Sequence, residues 1–311
     1  MADDHLVNSY RYLRLALVVV TVTLGISLIL EVFAARCYQG SISAFYYTPV
    51  HSILVGVLFV IGVSLVALIG RDRVEDLFFN LAGFLAPVVA LVPTARPADL
   101  CGPEERHLAI SDSTLLVTNN AWSLFLGFLL ALLVASWLAR GPDSPTAQLS
   151  QIPRATRVGI GLSLLVLVIG LVWFLTRPEN FGRRAHGTAA VLMFVAIWLA
   201  VLVNADFERL RPIVDRPYQW LQATRPTFLP DSRHDTYYRP RYKAIAVFMA
   251  LAGIVLGIGV ATGVSHAVFW LEVAEIVPFA YFWALQTGEG WSTGTTSSAA
   301  VPVGPNPNPV P

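Results

Sequence analysis

Eight apolar runs, each long enough to cross a bilayer, divide this chain of 311 residues and leave no room for a water-soluble fold. They lie at roughly residues 13–35, 52–70, 77–93, 121–139, 158–176, 188–204, 244–264 and 267–285. Each approaches the ~17–25 residues that span hydrocarbon as a helix, the one open structure that satisfies its own backbone there. Mean hydropathy is +0.62, and only 13% of residues are charged. The expected fold is all-α: a polytopic transmembrane helical bundle of about eight spans.

Charge fixes the expected orientation. With the N-terminus cytoplasmic, the inside segments hold 15 basic residues and the outside loops six. That asymmetry follows the positive-inside rule and places both termini in the cytoplasm. Arg177, Arg183 and Arg184, between the fifth and sixth runs, go against it. Of the 21 basic residues only Lys243 is lysine, a bias that fits a GC-rich bacterial genome, so a bacterial plasma membrane is the expected location. A net charge of +1 gives no reason to expect nucleic acid as a partner, and membrane lipids are the expected one.

Residues 1–291 read as one transmembrane domain, which includes a cytoplasmic loop at 206–243. Residues 1–10 read as a polar leader, and the first run as an uncleaved span, because Arg36 before Cys37 is wrong for a lipoprotein signal. Within the loop, residues 216–225 carry Tyr218 and Trp220 and suit either the headgroup interface or solvent. Residues 292–311, rich in Pro, Gly and Ser, form a tail with too little apolar surface to order itself. Gly253 with Gly257, and Gly259 with Gly263, have the small-xxx-small spacing that lets helix backbones approach. The only two cysteines, Cys37 and Cys101, fall in the first and second outside loops, and a disulfide between them is expected on that oxidising face.

Ionisable groups inside hydrocarbon are costly and mark candidate sites. Glu31 lies near the outer end of the first run, and Glu272 and Glu275 lie in the last. Glu275 shares a helical stripe with Phe279, Phe282, Gln286 and Glu289, and Glu272 is one turn back on the same side. Pro278 would free the Ala274 carbonyl beside that carboxylate. His51, His186 and His266 fall at the outer boundary with Asn119 and Asn120. Three imidazoles and a carboxylate suit Zn²⁺ with an open position for water, although no two histidines have helical metal-pair spacing. A polar pocket without a cofactor needs none of this, and neither do unrelated boundary residues. Before the second run, Ser43, Tyr46, Tyr47 and Thr48 offer hydroxyls to a phosphate or carboxylate, or form an aromatic belt with a helix cap.

The stretch Ser41-Ile42-Ser43-Ala44-Phe45-Tyr46-Tyr47-Thr48 resembles the Ser-Ile-Ser-x-Tyr-Tyr-Tyr-Thr-like motif of a family of uncharacterised bacterial multi-pass membrane proteins. The resemblance continues from Leu54 to Gly62, through Asp76, Asn80 and Gly83, and from Val89 to Thr94. It implies a multi-pass fold and no particular activity. Phe45 stands where the family commonly has Tyr, and His51 where it often has Arg. More distantly, Ser, Asp and His residues scattered over several spans look like the superfamily of alkaline ceramidases and progestin or adiponectin receptor relatives. That likeness implies metal-dependent lipid hydrolysis, but the family's His-x3-His pair is missing here.

The favoured expectation is a non-enzymatic membrane protein that binds a lipid or small molecule in an outer-leaflet pocket. Ser43, Tyr46, Tyr47, Glu31, Asn119 and Asn120 would line it. One alternative is a zinc-dependent lipid amide or ester hydrolase, with His51, His186 and His266 as ligands and Glu275 or Glu272 as general base. A second alternative is a proton-coupled carrier in which Glu275 titrates.

Overall fold

The computed structural model describes residues 2–68, 73–110, 113–138, 154–205 and 234–293. Most of the 206–243 loop, its 216–225 segment and the tail from 294 onward lie outside the described residues. Eight helices account for the apolar runs: α1 Ala2–Ala35, α2 His51–Ala67, α3 Arg73–Leu91, α4 Ser113–Leu138, α5 Arg154–Thr176, α6 Pro178–Ala205, α7 Arg239–Ala261 and α8 Ala267–Thr293. Two 3-10 turns, Ser43–Tyr47 and Glu104–Arg106, lie between helices, and a π-helical turn, His234–Tyr238, leads into α7. No strand occurs among the described residues. Six of the helices contain segments long and apolar enough to cross a membrane, and α2 and α5 add shorter apolar segments.

Two expectations at the ends of elements change. The polar leader is the first part of α1, continuous with the apolar run. His186 lies more than two turns into α6, which starts at Pro178. Pro87 and Pro278 sit inside helices that continue through them.

The helices close a ring in which α1 packs on α2, α2 on α3, α3 on α6, α6 on α7, α7 on α8, and α8 back on α1. Helices α4 and α5 flank the α3 and α6 side. The main core includes Leu17, Leu65, Phe79, Ile197, Met249, Phe282 and Trp283. A smaller cluster of Val92, Val117, Ala121, Phe174, Phe181 and Ala185 ties α4 and α5 to the ring.

Helical periodicity explains which faces turn inward. In α1, Arg14, Leu17, Thr21, Leu24 and Glu31 are buried, while Val19, Val22, Ile26, Ile29 and Phe33 are exposed on another face. In α7, Tyr242, Ile245, Ala246 and Met249 face inward, and Val247, Leu251, Ile254 and Ile258 face out. Contiguous apolar stripes of this kind are compatible with a bilayer and atypical of a protein surface in water.

The close helix approach falls at glycines other than those expected. A Cβ on Gly83 would lie 2.6 Å from the Gly62 carbonyl oxygen, and one on Gly62 would lie 2.9 Å from the Gly83 carbonyl oxygen. Only hydrogen at these positions lets α2 and α3 cross this closely. A Cβ on Gly257 or Gly263 would meet nothing within 4 Å, and one on Gly253 or Gly259 would make ordinary contact with α8 at 3.7 and 3.4 Å, so the small-residue pattern does not mark a tight crossing. Gly263 instead has φ +74 in the turn after α7.

The Cys37–Cys101 disulfide joins the two loops expected to share a face, with Cα atoms 6.2 Å apart. Next to it the buried Gln39 side chain pairs with the Cys101 backbone: Nε2 donates to the carbonyl at 2.9 Å, and Oε1 accepts from the N–H at 3.0 Å.

Candidate functional site

The end of α3 sets the site. A helix leaves its last carbonyls without intrahelical donors. Here side chains of other segments approach that region. Asn120 Nδ2 of α4 donates to the Leu91 carbonyl at 2.7 Å, and the Tyr47 hydroxyl donates to the Thr94 carbonyl at 2.6 Å. His186 of α6 places Nδ1 2.8 Å from the Val92 carbonyl.

The other nitrogen of His186, Nε2, lies 2.8 Å from Ser43 Oγ. Ser43 Oγ is also 2.7 Å from Glu272 Oε1 of α8. The second oxygen of Glu272 accepts the Ile42 backbone N–H. One hydroxyl thus bridges an imidazole and a carboxyl contributed by two different helices. The loop that carries Ser43 is fixed further by Phe269 N–H, which donates to the Gly40 carbonyl at 3.0 Å, and by Leu108 N–H, which donates to the Tyr47 carbonyl at 2.9 Å. His186 is buried, whereas Ser43 and Glu272 are only half-buried, so the chain has an accessible edge.

The remaining expected site residues are placed elsewhere or committed to other partners. Glu31 is buried and held by Arg106, whose Nε donates at 3.0 Å and Nη2 at 2.5 Å, a two-point pairing. The hydrogen bond to Glu31 holds the Arg106 guanidinium above its usual range. Glu31 is therefore an anchor for the loop between α3 and α4. His51 Nδ1 lies 2.8 Å from the Tyr46 carbonyl, and its ring stands edge-on to the Tyr46 ring at 4.2 Å between centroids. His266 has φ 58 and rests against Tyr38, with Nδ1 3.4 Å from the Gln39 carbonyl. Asn119 is exposed, one helical step from the half-buried attachment that Asn120 makes. Burial pushes the Tyr46 and Tyr47 phenols above the usual tyrosine range, and Arg96 over the Tyr47 ring partly offsets this for Tyr47.

Nδ1 of His51, His186 and His266 each faces a backbone carbonyl, and among the described residues no group of three His, Cys, Asp or Glu side chains is placed to hold a metal ion such as zinc.

Glu275 is buried, and among the described residues it has no hydrogen-bond partner. It looks onto Gly253 of α7, where an added Cβ would stand 3.7 Å from Oε1. The stripe expected on α8 is real: Glu275, Phe279, Phe282, Gln286 and Glu289 are all buried.

At the opposite end of that stripe lies a polar network that sequence reasoning missed. Gln286 Nε2 donates to Glu75 Oε1 of α3 at 2.6 Å, and Asn204 Nδ2 of α6 donates to the same oxygen at 2.8 Å. Arg14 of α1 donates to the Gln286 carbonyl at 3.0 Å and lies over Trp283 at 5.7 Å. The Tyr242 hydroxyl of α7 donates to Glu289 at 2.7 Å. A signal did exist, because Arg14 falls in phase with Leu17, Thr21 and Leu24, and Asn204 in phase with Ile197 and Ala200. A lateral cleft of about 580 Å³ between α2, α3, α4 and α5 is lined mostly by apolar side chains, with Asp76 and Asn80 on one wall.

The fold thus defines an all-helical protein with six helices suited to a membrane and a polar chain at one end of the bundle. Compared with known proteins, the chain matches no family model, no curated protein and no solved structure.

Proposed function

We propose that this is an integral protein of a bacterial plasma membrane that binds a lipid headgroup or small polar molecule at the Ser43, Glu272 and His186 chain. In this reading all eight helices span the membrane, both termini are cytoplasmic, and the site faces the outer leaflet. The disulfide supports that topology, since it requires the loops after α1 and α3 to share one face. The observation that carries the binding reading is Ser43 Oγ, within 2.8 Å of both an imidazole and a carboxyl and at the accessible edge of the bundle. Such an edge offers a hydroxyl together with either a carboxylate or an imidazolium, which suits a ligand that both donates and accepts hydrogen bonds. Tyr46 and Tyr47 would wall the pocket, the Tyr47 hydroxyl being engaged with the Thr94 carbonyl.

Mass spectrometry of the full chain released from mild detergent tests this. Wild type is expected to retain a bound lipid or small molecule that Ser43→Ala and Glu272→Gln lose while keeping their helical content. The same bound complement in all three proteins, or none in wild type, would refute it.

A further inference from the structure

Counting hydrogens along the Ser43 chain leads to a second role. The Val92 carbonyl has only lone pairs, so Nδ1 of His186 carries a hydrogen toward it. The gap of 2.8 Å from Nε2 to Oγ needs one hydrogen, and so does the gap of 2.7 Å from Oγ to Oε1. A neutral imidazole, a hydroxyl and a carboxylate supply two hydrogens for these three gaps. The chain closes only with one proton more.

That proton has two alternative places. On Glu272, the carboxylic acid donates to Ser43 and Ser43 donates to Nε2. On His186, Nε2–H donates to Ser43 and Ser43 donates to the carboxylate. Passing between the two forms moves one hydrogen across each gap and leaves the net charge unchanged. The Ile42 N–H donates to the other Glu272 oxygen in both forms.

One turn along α8 from Glu272, on the same side, is Glu275, 7% exposed and without a hydrogen-bond partner among the described residues. The π-helical turn His234–Tyr238 packs on α8 near Gly288, more than three turns from Glu275, and no opposite charge lies along the facing stretches of the other helices packed on α8. There is no ionisable residue in α1 between Leu15 and Leu30, in α6 between Gly187 and Asn204, or in α7 between Ala244 and Ala261. Arg14 is bonded to the Gln286 carbonyl, further along α8. The ionisable groups near the relay are likewise committed: Glu31 to Arg106, His51 to the Tyr46 carbonyl, Tyr47 to Thr94, and Arg96 to the Leu108 carbonyl.

We propose that His186, Ser43 and Glu272 form a proton relay whose terminus is the buried carboxyl of Glu275. Glu272 in its acid form passes its proton to the Glu275 carboxylate through a transiently bridging water, because the two carboxyls lie a helical turn apart and are not hydrogen-bonded to each other. Glu272 and His186 then share a chain that is one hydrogen short, and a proton from water at the half-buried Ser43 edge refills it. One proton enters and one is stored, so the transfer balances. The relay shares residues with the proposed binding site but needs no ligand.

Infrared difference spectroscopy of the full chain in phosphatidylcholine and phosphatidylglycerol vesicles, taken from acid to alkaline pH, tests it without any ligand. Wild type is expected to show at neutral pH a carbonyl band of a carboxylic acid free of hydrogen bonds. Glu275→Gln loses this band, and Glu275→Asp keeps it at a shifted position. After transfer to D2O, the band shifts about 100-fold more slowly in Ser43→Ala than in wild type, the scale of a lost proton-transfer group. Ser43→Thr, which retains the hydroxyl, restores the rate. Absence of the band in wild type, its persistence in Glu275→Gln, or equal exchange in wild type and Ser43→Ala would overturn the relay. Such a failure would leave ligand retention by the detergent-released protein untouched, so the two readings fall separately.

Discussion

Gly83 offers the most direct test of how the bundle is held. A methyl there would stand 2.6 Å from the Gly62 carbonyl oxygen, 2.9 Å from Val66 Cγ2 and 3.1 Å from Leu65 Cβ. Ordinary contact begins at 3.4 Å, so Gly83→Ala forces α2 and α3 apart by roughly 0.8 Å, the difference between 3.4 and 2.6 Å. Two of the three obstacles are a backbone oxygen and a Cβ, which cannot swing aside as a long side chain can. Overpacking costs about 1–3 kcal/mol, and the rigid obstacles put this case in the upper half. Against it stands a helix-propensity gain of up to about 1 kcal/mol for replacing Gly with Ala. The net loss is therefore about 1–3 kcal/mol. Gly257→Ala, where the methyl meets nothing within 4 Å, keeps only the gain. Unfolding by a denaturing detergent in mixed micelles, followed by tryptophan fluorescence, measures both. The double variant Gly62→Ala with Gly83→Ala should cost less than the sum of the two, because the first methyl opens the gap for the second. If Gly83→Ala is as stable as wild type, or Gly257→Ala is the more damaging, the assigned crossing is wrong.

Two further outcomes follow from buried polar contacts. Glu75→Ala removes the acceptor shared by Asn204 and Gln286, and at about 1–3 kcal/mol for each of the two donors it should destabilise the bundle by about 2–6 kcal/mol in the same assay. Glu75→Gln, which keeps a carbonyl acceptor, should lose clearly less. Tyr46 and Tyr47 bear on alkaline stability: burial raises their folded pKa above the unfolded value of about 10. Their contribution is complete below that pH and is lost as pH rises from the unfolded toward the folded value. An absorbance titration of phenolate should therefore show Tyr47→Phe removing a late-ionising group, and detergent resistance should fall above about pH 10 less steeply in that variant than in wild type.

Particular residues show where sequence was enough. The eight helices, the buried stripe from Glu275 to Glu289 and the Cys37–Cys101 pairing were legible because each depends on local periodicity, length or a count of two. Ser43, Glu272 and His186 were each legible as candidates for the same reason. Their union was not, and neither was the separation of Glu31, His51 and His266 into other pairings.

Hydrocarbon makes a run of apolar residues declare itself a helix, because the backbone has to satisfy its hydrogen bonds within the segment. That constraint is written in one dimension, so composition and spacing determined the elements. Which helices adjoin depends on contacts between residues far apart in the chain, such as Gly62 with Gly83 or Glu75 with Gln286, 211 positions on. Polar side chains such as Glu31 and Glu75 bury only where donors converge on them, and the six-helix ring brings those donors together. The tertiary structure thus decided that Glu31 is an anchor, that Ser43 bridges two helices, and that Glu275 has no partner among the described residues.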